Sequence, residues 1–144
     1  MTLTAERALL ISILDALVPP SRDFPGAGRI ALDHVLAAAA ASPDLDALLC
    51  RALHAIGEAT GADRFASMSE DNRETVLRRV EQSQPEAFAA LVRHTYFGYY
   101  GHPTVVTALG LDPTPVQPRG HQPDPLEPPD LARVTKRGPI YRPT

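Results

Sequence analysis

Ser83-Gln84-Pro85-Glu86-Ala87-Phe88-Ala89-Ala90-Leu91-Val92-Arg93-His94-Thr95-Tyr96-Phe97-Gly98-Tyr99-Tyr100 is the stretch on which the fold turns. Phe88, Leu91, Val92, Thr95, Tyr96 and Tyr99 recur at three- and four-residue spacing, which places them on one face of a helix. Ser83 and Glu86 have the spacing of a capping box, and Pro85 sits near the start, where proline is tolerated. A helix this apolar on one side needs other elements to cover it.

The preceding sequence supplies them. Leu9, Leu10, Ile13, Leu14 and Leu17 predict a first helix, with Thr4 as its N-cap and Pro19-Pro20 as its stop. Phe24-Pro25-Gly26-Ala27-Gly28 reads as a loop. Ala31, Leu32, Val35, Leu36 and Ala39 form a second helix. Ser42 caps a third, with Pro43 at its first position, Leu45, Leu48, Leu49, Ala52, Leu53 and Ile56 inward, and Gly61 as its end. Ser69 starts a fourth, with Val76, Leu77 and Val80 inward. A short helix from Pro103 to Leu109, ended by Gly110, follows the quoted stretch. No segment alternates with period two, so residues 1–111 are expected to form an all-α bundle of about five or six helices.

Residues 112–144 differ in kind. They hold nine of the fifteen prolines and few large apolar side chains. Such a segment cannot build a core of its own and is expected to be extended when free. It reads either as a flexible appendage or as a tail docking on a partner. Pro139, Ile140 and Tyr141 give it an anchor-like cluster, which a generic linker does not need.

Composition excludes several functions. The net charge of −3 lacks the basic stripe that nucleic-acid binding requires. No apolar run is long enough to span a membrane, so direct insertion is not expected. The single Cys50 permits no internal disulfide and lies by the apolar face of its helix, as a small buried hydrophobe would. His34, His54, His94, His102 and His121 show no metal-ligand spacing. His54 and Glu58, four apart, read as a surface hydrogen bond. Gly26-Ala27-Gly28 lacks the third glycine and the preceding strand of a dinucleotide fingerprint. The chain is therefore expected to have no catalytic residues, cofactor site or metal site, and not to act as an enzyme alone.

What remains is a surface. Tyr96, Phe97, Tyr99 and Tyr100 are four of the chain's eight Phe and Tyr residues, packed into five positions and followed by His102 and Pro103. These aromatics either face the core or form a contact surface, for which tyrosine is well suited. Gly98 lowers helix propensity among bulky neighbours, which points to close approach by another backbone. A helix packed only within its own core does not require it. The expected partner-binding set is Tyr96, Phe97, Gly98, Tyr99, Tyr100, His102, Pro103, Arg119, Ile140 and Tyr141.

Several landmarks run in a recognisable order. They are Leu14-Asp15-Ala16-Leu17-Val18-Pro19, Phe24-Pro25-Gly26-Ala27, and Phe65 through Ser69 with Arg73. Thr95-Tyr96-Phe97-Gly98-Tyr99-Tyr100 follows with Pro103 and Leu109-Gly110, and Pro118-Arg119-Gly120 comes last. In these, over about residues 5–121, the chain resembles the gluconate 2-dehydrogenase subunit 3 (gamma, or small subunit) family. The resemblance implies a non-catalytic accessory subunit that helps a large partner fold and stay stable. That partner is a FAD-binding dehydrogenase subunit of the glucose–methanol–choline type, oxidising an alcohol group of a sugar, polyol or sugar acid. The FAD belongs to the partner, and in several systems a cytochrome c subunit takes the electrons. Many members begin with a twin-arginine signal. Here no Arg-Arg pair precedes an apolar run, so a cytoplasmic location is expected, or a periplasmic one if a partner carries the chain across. The competing reading is a free-standing helical adaptor that recruits partners through its proline-rich tail.

Overall fold

The computed structural model describes residues 6–61, 64–114 and 136. The chain divides into two units, Met1–Pro113 and Thr114–Thr144, and the elements below belong to the first. Arg119, Ile140 and Tyr141, and the cap expected at Thr4, lie outside the described residues.

Among the described residues seven α-helices follow one another: α1 (Arg7–Leu17), α2 (Ala27–Ile30), α3 (Leu32–Ala41), α4 (Pro43–Thr60), α5 (Glu70–Ser83), α6 (Pro85–Tyr100) and α7 (Pro103–Ala108). A single 3-10 turn, Phe65–Ser67, precedes α5, and the described residues contain no strand. The body is an all-α bundle, as the apolar spacing predicts. It has one helix more than expected. Ala27 and Gly28, read as loop, sit in the four-residue α2, which the sequence does not announce because Gly28 and the N-cap Gly26 have low helix propensity.

Proline, serine and glycine set most boundaries. The hydroxyl of Ser42 accepts from the Leu45 N–H (3.3 Å), with Pro43 opening α4. Ser69 caps α5 in the same way, through the Asn72 N–H (3.4 Å). Gly61 ends α4 at φ 78° and Gly110 follows α7 at φ 76°, a region other residues avoid. The capping box expected at Ser83–Glu86 does not form. Ser83 is the last residue of α5, Gln84 is the N-cap of α6, and no side chain caps it. With Pro85 as the first helical residue, Glu86 stands at the second position, one short of reaching back.

α6 is the hub. It packs against each of the other six helices, most extensively against α4 and α3. Leu91 of α6 is fully buried and belongs to one core cluster with Leu10, Ile13 and Leu14 of α1, Val35 of α3, and Leu49, Leu53 and Ile56 of α4. Phe65 in the 3-10 turn and Val105 in α7 are fully buried too, so even the short elements are held by apolar anchors.

Candidate partner-binding surface

α6 has two faces with different tasks. Ala87, Phe88, Leu91, Thr95, Gly98 and Tyr99 face inward and are buried. Thr95 satisfies its hydroxyl inside the core by donating to the Leu91 carbonyl (2.7 Å). The Tyr99 hydroxyl donates to the Pro25 carbonyl (2.8 Å), tying α6 to the loop before α2. Burial pushes the Tyr99 phenol up, so it stays a donor at ordinary pH.

Gly98 is tight for an internal reason. A Cβ there would lie 2.8 Å from the Cβ of His34 and 3.1 Å from both the Cα and the Cβ of Ala31. The backbone that approaches is this chain's own, where α2 passes into α3. A core helix does need this glycine, which corrects the expectation that only an outside partner explains it.

The outer face carries the exposed aromatics. Tyr96 is 44% exposed, Phe97 60% and Tyr100 52%. With Arg93 they occupy positions i, i+3, i+4 and i+7, one continuous stripe. Tyr96 was expected inward, alongside Thr95 and Tyr99. One residue advances a helix by about 100°, which carries Tyr96 past the edge of the buried strip. The rings brace one another edge to face: Tyr96 against Tyr100 with centroids 5.9 Å apart, Tyr99 against Tyr100 at 5.2 Å, and His94 against Phe97 at 5.9 Å. Beyond the helix end, His102 is half-buried, its Nδ1 accepting from the Thr104 N–H (3.2 Å), and Pro103 is exposed. Of the expected set within the described residues, Tyr96, Phe97, Tyr100, His102 and Pro103 are thus at least partly accessible. Gly98 and Tyr99 lie inside the body.

His94 stacks on His34 across the α3–α6 contact, with centroids 5.9 Å apart and planes 24° from parallel. Its Nδ1 is buried with no hydrogen-bond partner among the described residues. Desolvation, then the nearby His34 and Arg93, hold its pKa below the ordinary 6.5. The unfolded chain therefore binds more protons between that lowered value and 6.5, and His94 costs stability as pH falls through this window. Above 6.5 it is neutral in both states and adds no slope. His94→Phe keeps a ring in place and removes the titration. Urea midpoints measured across acidic to neutral pH should fall less steeply for the variant than for the wild type.

Elsewhere the surface offers little chemistry. Among the described residues, no three His, Cys, Asp or Glu side chains group to hold a metal. None of the described helices is long and apolar enough to cross a membrane. Cys50 is half-buried, its sulfur 3.9 Å from Asp46 Oδ1. His54 Nδ1 and Glu58 Oε2 meet at 3.3 Å on an exposed face, as their spacing predicts. A cleft of about 610 Å³ opens between the end of α1 and α5, lined by apolar Leu17, Leu77 and Phe88 and by charges of both signs, among them Glu70, Arg73 and Arg78.

The family model described as gluconate 2-dehydrogenase subunit 3 matches residues 4–117. The chain belongs to the gluconate 2-dehydrogenase subunit 3 family. No curated protein and no solved structure matches it. Membership in the subunit 3 family supports an accessory role in a dehydrogenase complex. Most of the landmarks that carried the resemblance turn out to be architecture. Asp15 accepts from the Gly28 N–H (2.8 Å), and its carboxylate lies against Gly26 where a side chain would have to go. The Phe24–Ala27 loop is thus clamped by Asp15 on one side and Tyr99 on the other. Phe65 is a core anchor, and Arg73 Nε donates to the Met68 carbonyl (3.0 Å), fixing the entry to α5. Pro103 opens α7, and among the subunit 3 landmarks within the described residues Tyr96, Phe97 and Tyr100 are the aromatics whose large side chains are left exposed.

Proposed function

We propose that this chain is the non-catalytic small subunit of a FAD-dependent sugar or polyol dehydrogenase. Its large subunit is a flavoprotein of the glucose–methanol–choline type, and this chain supports the folding and stability of that subunit. The observation that carries the reading is an aromatic stripe left outward on the central helix of a chain from a family of dehydrogenase subunits. Large exposed apolar patches mark binding surfaces, and aromatics dominate the energetics of such contacts. A permanent complex of this kind buries on the order of 2,000 Å² or more. The tail residues Arg119, Ile140 and Tyr141 belong to the same reading as further contacts.

The test is purification from the native source. A yellow complex with a much larger chain is expected, with flavin remaining on the larger chain after separation. The small chain alone should neither take up FAD nor oxidise sugars. Stoichiometric FAD binding by the isolated chain, or purification of it as a lone monomer, would overturn the assignment.

A further inference from the structure

The outer stripe of α6 differs from the rest of the body in charge as well as in apolarity. Residues 1–111 carry nine basic and thirteen acidic side chains, yet between Ala87 and Leu111 there is no Asp or Glu. Arg93 is the one Lys or Arg of that stretch, which also holds His94 and His102. At its C-terminal end the stripe borders a depression of about 360 Å³. Arg29 and His34 come to it from α2 and α3, His102 from the turn before α7, and Phe97 from α6. Arg29 and Arg93 are exposed, and their side chains make no ion pair or hydrogen bond among the described residues. Asp33 also borders the depression, and Arg7 stands 3.9 Å from it. Glu86, on the same side of α6, is about two turns from Arg93.

We infer that the Arg93–Tyr96–Phe97–Tyr100 stripe docks into an apolar groove of the large flavoprotein subunit whose rim is acidic, with a partner carboxylate entering the depression between Arg29, His34 and His102. The inference rests on the reading of this chain as a subunit of that flavoprotein, and adds the chemistry of the surface that receives it. Charge complementarity selects the occupant. An acid-free aromatic ridge on an acidic body meets least repulsion from an acidic rim, and guanidinium groups bind carboxylates in a two-pronged geometry. A second copy of this chain is the poorer occupant, because a two-fold contact through the stripe brings Arg93 of each copy toward the other.

Two variants of the full chain separate the contributions, each measured for affinity to the large subunit at low and high salt. Tyr96→Ser/Phe97→Ser/Tyr100→Ser removes the apolar ridge, and Arg29→Glu/Arg93→Glu reverses the flanking charge. All five positions are exposed, so circular dichroism and thermal unfolding should match wild type. The ridge variant should lose affinity by a factor on the order of a hundred, as expected for several interface aromatics. The charge variant should lose about tenfold or more at low salt and show a flatter salt dependence than wild type. Hydrogen exchange on the wild-type complex should protect the side of the body around α6 and α7, a readout that does not depend on any variant folding.

If wild type binds the large subunit and both variants bind equally well, the docking inference fails and the subunit assignment stands. If only the ridge variant is impaired and salt has no effect, the acidic rim is wrong. If wild type does not bind a flavoprotein at all, the assignment fails and takes the inference with it. A wild-type homodimer in sedimentation that the ridge variant dissociates, with no loss of flavoprotein binding, would name a second copy as the occupant instead.

Discussion

Gly98→Leu is expected to prevent the body from folding. The first atom of any side chain there already lies 2.8 Å from the His34 Cβ and 3.1 Å from the Ala31 backbone, and neither can swing away as the end of a long side chain would. Even Gly98→Ala sets a helix-propensity gain of up to about 1 kcal/mol against an overpacking cost of about 1–3 kcal/mol. The larger leucine must push α3 away from α6 altogether, at a loss of more than about 3 kcal/mol. Gly57→Ala is the control. It lies inside α4, where a Cβ would meet only Leu9 Cδ2 at 3.9 Å. There the propensity gain stands alone, and stability should rise by about 0.5–1 kcal/mol. Urea unfolding of the three proteins checks the set. Equal midpoints for Gly98→Ala and Gly57→Ala would show that the α3–α6 crossing is looser than its geometry.

Phe65→Ala is expected to lose about 3–5 kcal/mol, the range for deleting a buried aromatic ring. Phe65 is the largest of the fully buried side chains. It stands in a three-residue turn with no other buried residue, packed against α1 and α4. Its ring is therefore what attaches the α4–α5 connection to the core. Domains of this size are stable by only about 5–15 kcal/mol, so the variant should populate the unfolded state at modest denaturant. A midpoint within error of wild type would mean that the turn collapses into the space, and that the anchor lies elsewhere.

The helices were legible in the sequence wherever a buried stripe and a local stop coincided. Leu49, Ala52, Leu53 and Ile56 run unbroken from Pro43 to Gly61, and α4 lies between those two residues as expected. α2 was not legible because its helical turn is held from outside, by the Asp15 carboxylate on the Gly28 N–H, and local propensity argues against it. The capping box at Ser83 failed because the motif has the right letters at a junction where one helix has not yet ended. The site was half legible. That Gly98 needs a close neighbour is a property of the residue and its setting. Which backbone fills the space depends on where α3 lands, a contact between residues more than sixty apart in sequence. Tyr96 and Thr95 are adjacent, and a face defined by steps of three and four leaves its edge uncertain by one residue. A cluster of four aromatics hid which of them the core had room for.

The edge-to-face bracing of the rings has a kinetic consequence. Tyr100 is held by Tyr96 on one side and Tyr99 on the other, and Tyr99 is itself fastened to Pro25. A receptor therefore meets side chains that already stand in a restricted set of orientations, and little rotamer freedom remains to be lost on contact. Capture by α6 should need no slow rearrangement after encounter. Observed association rates should rise linearly with partner concentration, with a rate constant on the order of 10⁵–10⁷ M⁻¹s⁻¹, and substitutions along the stripe should act mainly by shortening the lifetime of the complex.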